Sequence, residues 1–383
     1  MRSRVFLLAA AVSALAAQTP ANWGFGRFVR PPDVNPVIAP QPASVFLCPM
    51  RNAPVRWEAL HTFNPAAVVR NGKVFVIYRA EDDSGKMQIG MHTSRLGLAA
   101  SDDGLHFTRR PSPVLYPADD AQKQREWEGG CEDPRAVEAP DGSYVMTYTQ
   151  WNRKITDAAI ATSTDLFNWT KHGPAFARAS DGKYLRRSHK SAGIVVQVSG
   201  DRLVAASIGG KFWMYWGEGE IHLATSTDLI DWRPVEDAAG DPIVVLARRP
   251  GHFDSSFPEV GPPPVLTRDG IVVLYNGKNA ADSGDPELAP GTYSAGEALF
   301  AADDPSRLIA RTSGPVFRPE LPSEKSGQYA AGTTFTEGLV FFHGQYFLYY
   351  GCADSLVGVA ISVGQAGSLR RVENPPIFGF AHP

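Results

Sequence analysis

"IATSTDLFNW" (160–169) and "LATSTDLIDW" (223–232) are nearly the same decapeptide, and their recurrence decides the fold. "LAASDDGLHF" (98–107) is a third copy, with Phe107 in the tryptophan position. "LFAADDPSRLI" (299–309) is a looser fourth and "VGVAISVG" (357–364) a truncated fifth. Each follows a strand-like run ending in tyrosine: "VFVIYRAED" (74–82), "YVMTYTQWN" (144–152), "FWMYWGEGE" (212–220), "IVVLYNGKN" (271–279) and "YFLYYGCAD" (346–354). The unit is a strand ending in Tyr, a polar linker, a second strand ending Ala-Thr-Ser, then Asp-x-x-x-Trp. Copies recur about every 55 to 75 residues, and self-similarity at this scale in a strand-rich chain points to a propeller. No segment sustains an apolar 3.6-residue period over three turns. The reading is therefore an all-β chain, a five-bladed β-propeller. The Ser and Asp of each turn are expected to bond nearby backbone, and Trp169 and Trp232 to pack between blades. The residues just past each tyrosine then form polar patches that converge on one pit.

The chain has 383 residues, 43% hydrophobic and 20% charged, which describes a globular protein. A net charge of −3 gives no basic face for nucleic acid. Arg2 and Arg4 precede an apolar run that closes on Ala14, Ala16 and Ala17. This is the pattern of a cleavable secretory signal over 1–17, with an uncleaved anchor as the alternative. It predicts an exported protein, periplasmic or extracellular, with no membrane span after cleavage. Residues 18–50 read as an N-terminal extension and 51–383 as one propeller domain. Cys48, Cys131 and Cys352 are an odd set, too far apart in sequence for a metal knuckle, and read as buried small residues. No metal or other cofactor is expected, and no motif speaks to oligomeric state.

Several acids stand outside the turn pattern. "WEGGCEDPRAV" (127–137) holds Glu128, Glu132, Asp133 and Arg135; "FPEVGPPPVL" (257–266) places Glu259 before a rigid proline run; Glu218 and Glu220 follow "MYWG". Glycosidic hydrolysis needs two carboxyl groups about the scissile bond, one protonating the leaving oxygen and one activating water or attacking carbon. "GCEDPR", "STDLxxW" and "GPPPVLTRDGIVVLYNG" together resemble glycoside hydrolase family 130. The resemblance spans about residues 55 to 365 and implies mannoside phosphorylases or β-mannosidases on five-bladed propellers. The "YWGE" and "PEVGPPP" pairing looks most like the exported branch that hydrolyses β-1,2-mannosides.

The resemblance implies the following roles. Asp133 matches an aspartate that contacts the mannose and, in phosphorylases, serves as acid. Asn64 of "FNPA", Arg79 of "YRA" and Asp354 of "GCAD" match positions that hold mannose hydroxyls. Lys190 of "SHKSAG" matches a lysine near the reacting centre. Glu218 and Glu259 match the two glutamates of an inverting hydrolysis, on opposite sides of the mannose, with the analogy leaning to Glu259 as base. Glu220 reads as a companion that helps raise the acid's pKa together with Trp216, and Arg135 as a further substrate contact. Trp57, Trp127, Trp151, Trp213 and Trp216 are candidates for stacking on a sugar face. Phosphorylases carry a His-Arg-Pro stretch after the lysine that helps bind phosphate, whereas "RLVAASIGGKF" (202–212) has none. The expected activity is thus hydrolysis of β-mannosidic, expectedly β-1,2, linkages in manno-oligosaccharides. Two alternatives stay open. One is a β-mannoside phosphorylase with Asp133 as acid and phosphate held by Arg186, Arg187 or His189 and Lys190. The other is a non-catalytic glycan-binding propeller. A fructosidase-like propeller is more distant.

Overall fold

The structure is a computed structural model that describes residues 23–363. The expected signal segment, the first residues of the extension and the last residue of the fifth repeat copy lie outside the described residues. Helix is limited among them to one turn, Lys123–Glu126, and two 3-10 segments, Ser180–Arg186 and Pro322–Glu324. The chain is all-β.

The strands pair as five successive antiparallel meanders. The first is His61–Arg70, Lys73–Glu81, Ser94–Ser101 and Thr108–Arg109. The second is Gly130–Glu138, Tyr144–Trp151, Thr156–Ser163 and Thr170–Pro174. The third is Ala192–Ile194, Lys211–Trp216, Ile221–Ser226 and Arg233–Pro234. In the fourth, Phe257–Val260 and Val265–Leu266 both pair with Ile271–Lys278, followed by Tyr293–Phe300 and Leu308–Arg311. The fifth is Thr334–Phe342, Gln345–Cys352 and Leu356–Val363, and its outer strand is Arg27–Val29. The segment read as an extension is therefore woven into the sheet, and Phe25 and Phe28 are buried in the core. Short parallel contacts link neighbouring meanders, Ser94 with Gly130, Val204 with Glu138 and Val196 with Val265.

The decapeptide is a turn built from its own side chains. Ser163 Oγ accepts from the backbone N–H groups of Asp165 and Leu166, and Asp165 Oδ1 accepts from those of Phe167 and Asn168. Ser226 and Asp228 repeat the pattern, as do Ser101 and Asp103. The residue after the Asp has positive φ in all three: Leu166 (70°), Leu229 (66°) and Gly104 (76°). The side-chain bonds hold two leucines in a region costly for them, while the third copy uses glycine. Trp232 is buried and its backbone N–H donates to Ala175 O, just past the second meander, and Trp169 packs on the core between the first two.

One correction concerns the repeat unit itself. The strand ending in tyrosine is the second strand of each meander. The first strands went unread in the repeat because three of them are interrupted by bulges that break the period-two alternation. The register slips between Phe63 and Pro65, Glu132 and Arg135, and Thr336 and Gly338. The interruptions fall at Asn64, Asp133–Pro134 and Glu337, and these bulges supply the centre of the molecule with polar groups.

Candidate active site

A pit is lined by the starts of first strands and the ends of second strands. Phe63, Asn64, Arg79, Glu81, Glu132, Asp133, Lys190, Glu218, Glu259 and Asp354 meet there, with Trp151, Tyr293, Gln328, Tyr329, Thr333 and Phe335 around them. Asn64 and Asp133 have φ of 45° and 46°, so each bulge turns its polar side chain out of the strand alternation. Asn64 Nδ2 donates to Asp133 Oδ1 at 2.9 Å, while Asn64 Oδ1 is buried without a protein partner. A Cβ at Gly351 would come 2.3 Å from that oxygen, which is why "YYGCAD" carries glycine where Asn64 crosses it.

Arg79 organises one wall. Its guanidinium lies 4.6 Å from the centroid of Phe63 and reaches Glu81 (2.7 Å), Glu132 (2.9 Å) and Asp133 (3.1 Å), while Nε donates to Ser94 Oγ. One cation among three carboxylates cannot satisfy all equally. Burial pushes Glu132 up to about 7 against the attraction of Arg79. Asp133, equally buried, is instead held down at about 2 by Arg79, Lys190 and the Asn64 amide. Burial likewise raises Asp354 to about 7. The wall thus holds an ionised Asp133 beside carboxyls that keep protons to near neutrality, the separation of roles a hydroxyl-binding surface can use.

The other wall is the pair the sequence singled out. Glu218 and Glu259 are cross-strand partners in an isolated antiparallel bridge, fixed by Gly219 N–H to Pro258 O (3.1 Å) and Val260 N–H to Gly217 O (3.2 Å). Lys190 Nζ stands 3.6 Å from Glu218 Oε2 and 3.3 Å from Glu259 Oε1. Those two oxygens are therefore no more than about 6.9 Å apart, the two contacts end to end. Glu259 is 1% exposed and accepts from Ser191 Oγ at 2.5 Å; burial, opposed by Lys190, raises its carboxyl to about 7. The Glu218 side chain is 39% exposed. The two carboxylates meet at the Lys190 ammonium, which pairs with both in one part of the pit.

Two further readings are corrected. Arg135 does not line the pit. It is 2% exposed, and its guanidinium donates to Gly261 O (2.8 Å), Val260 O (2.7 Å) and Asp133 O (3.1 Å) and pairs with Glu337 (2.6 Å). It clamps the backbone that carries Glu259 to the bulge that carries Asp133. Glu220 is exposed and outside the pit, because Gly217 and Gly219 (φ 124° and 98°) end the strand and break its alternation. Trp216 packs with Phe176, Tyr184 and His222 away from the pit, so burial, not Trp216 or Glu220, raises Glu259. Of the five candidate tryptophans only Trp151 lines the pit. Arg186, Arg187 and His189 do not line it; His189 is buried, accepting from Ala158 N–H. Glu337, fully buried beneath the site, was not foreseen; its only signal is an acid inside the apolar strand "TFTEGLVFF". The three cysteines are free and buried, as read.

A sequence model of glycoside hydrolase family 130, described as β-1,4-mannooligosaccharide phosphorylase, matches residues 33–365. The 1,2-β-oligomannan phosphorylase of Thermoanaerobacter sp. (strain X514) is 32% identical over 316 residues, 82% of this chain and 93% of that protein. One solved structure is described with the words that this family of mannoside phosphorylases contains glycoside hydrolases that target β-1,2 mannosidic linkages in Candida mannan. It shares 52% identity and a TM-score of 0.88, covering 90% of this chain and 95% of that one. A glycosyl hydrolase from Bacteroides ovatus shares 51% identity and a TM-score of 0.88 over the same shares. With the family pattern matched from before the first meander to the end of the last, the chain belongs to glycoside hydrolase family 130.

Proposed function

We propose that this protein hydrolyses β-mannosidic linkages, β-1,2 foremost, in manno-oligosaccharides with inversion, and that its five meanders are the blades of a propeller around the pit. The observation that carries the reading is Glu218–Lys190–Glu259 in a pit lined by six carboxylates and only two cations, Arg79 and Lys190, both already engaged by acids. Inorganic phosphate binding wants uncommitted charge-assisted donors, whereas a neutral sugar rich in hydroxyls suits such a wall. Arg79, Asp133, Asn64 and Asp354 hold the mannose, and Phe63 or Trp151 offers an apolar face. Glu259, which keeps its proton to about 7, delivers it to the leaving oxygen, the reverse of the base role to which the family resemblance leans. Glu218, open to solvent, takes the proton of the attacking water. The signal-like N-terminus supports export, so the reaction would run outside the cytoplasm.

Phosphorolysis is the second reading, because the curated relatives are named phosphorylases. The test is to incubate the protein with β-1,2-mannobiose with and without inorganic phosphate and to follow products by proton NMR. Free mannose at equal rates in both, appearing first as the α anomer, is the expected result. Mannose 1-phosphate formed only with phosphate overturns hydrolysis; β-mannose as first product overturns inversion; tight binding without cleavage leaves a glycan-binding protein.

A further inference from the structure

Behind the Arg79 wall, three strand ends of the first meander bring two histidines and a carboxylate together. His61 opens the first strand and is the register partner of Glu81, which closes the second. His92 stands two residues before Ser94, and Ser94 is the partner of Glu81 on the other side. Three neighbouring strand ends thus offer imidazole, carboxylate, imidazole. Ligand atoms of the three all lie within 4.8 Å of one another, and the two imidazole centroids are 6.1 Å apart. Glu81 is 1% and His92 3% exposed. The Nδ1 atoms of His61 and His92 are both buried with no hydrogen-bond partner in the protein. Buried polar atoms are ordinarily satisfied, and two orphaned imidazole nitrogens beside a buried carboxylate point to a ligand that takes electron pairs.

We propose that His61, Glu81 and His92 bind a divalent transition-metal ion, with zinc the best fit. Two imidazoles and one carboxylate are a donor set that zinc accepts, with bonds of about 2.0–2.2 Å. Such bonds at a tetrahedral angle put ligand atoms about 3.3–3.5 Å apart, so the cluster closes by small side-chain rotations. Imidazole ligands disfavour magnesium and calcium, which take oxygen. Glu81 also accepts from Arg79 at 2.7 Å, so the ion and Arg79 share one carboxylate. An ion there fixes the orientation of Glu81 in the pit wall. It also anchors the end of the loop over residues 82–93, which places Ile89 and Gly90 on the rim. Sequence spacing hides this site, since the three residues share no short motif and meet only through strand pairing.

The test is metal content of the whole protein, independent of any activity. Protein stripped with a chelator is dialysed against Zn2+ and, in parallel, Co2+; bound metal is measured by mass spectrometry, and the Co2+ form by its visible ligand-field bands. One Zn2+ per chain is expected, with affinity falling by roughly a hundredfold or more in His61→Gln and again in His92→Gln, as loss of a ligand exceeds the loss of an outer partner. His61 is only half-buried, so His61→Gln keeps the fold available if His92→Gln does not. No tightly bound metal in the wild type, or equal retention by the double variant, overturns the proposal and assigns any binding to other histidines.

Discussion

Replacing Glu259 by Gln separates the proposed chemistry from folding. The carboxyl is buried and raised from 4.5 to about 7, chiefly by burial and against the pull of Lys190. A folded-state pKa above the unfolded one means the native state holds the extra proton. The associated stability is present below about 4.5 and is lost as pH rises towards 7. At pH 8 the ionised group costs about 3 kcal/mol relative to low pH, from roughly 1.4 kcal/mol per pKa unit. Gln keeps the shape and the bond to Ser191 without that charge, so the variant is expected to be as stable as the wild type at pH 8, or more so. Its rate is expected to fall by about 10²–10⁴, the usual contribution of a positioned acid or base. The wild-type kcat/KM is expected to decline above about pH 7 as Glu259 loses its proton, and the variant's residual rate to lack that limb. The assay is release of mannose from β-1,2-mannobiose between pH 5 and 9, paired with thermal melts across the same range. A variant within tenfold of wild-type rate refutes the assignment of Glu259 as acid. A variant melting well below the wild type at pH 8 refutes the electrostatic argument behind it.

Two other outcomes follow from neighbouring contacts. Arg79→Lys keeps the charge but loses the planar fork that spans Glu81, Glu132 and Asp133. A rise in KM of about ten- to a hundredfold with a smaller change in kcat is expected, from loss of roughly 1.4–2.8 kcal/mol of substrate holding; unchanged KM removes Arg79 from the sugar site. Glu297 is buried, raised to about 7 by burial, and accepts from Phe25 N–H at 3.0 Å, tying down the N-terminal strap. By the same sign, it destabilises the fold as pH climbs from about 4.5 to 7. Glu297→Gln is therefore expected to raise the melting temperature at pH 8 and to leave it unchanged at pH 4.5; a lower melting temperature at pH 8 counts against it.

The repeated turn was legible because it is local. In "STDL" the Ser and Asp side chains bond N–H groups within three residues, so ten residues contain nearly the whole cause of their shape. Strand-rich alternation and the absence of helical period likewise follow from the chain alone. The likeness of their motifs to a family singles out Glu218, Glu259, Asp133, Asn64, Arg79, Lys190 and Asp354, and all of them line one pit.

What the sequence did not carry is direction. Whether a polar residue faces the pit depends on bulges, glycine breaks and neighbouring strands, and these are set by packing between meanders. Arg135 lies two positions from Asp133 yet points inward, because the bulge between them changes the alternation and three backbone carbonyls await its guanidinium. Glu220 is lost to solvent for the opposite reason, two glycines that end its strand. Glu218 and Glu259, far apart in sequence, become neighbours only through a backbone bridge, and His61, Glu81 and His92 only through strand register. Local hydrogen bonding belongs to the sequence; the facing of side chains across strands, and with it every shifted carboxyl in the pit, comes from long-range pairing that excludes water from groups that no short motif places together.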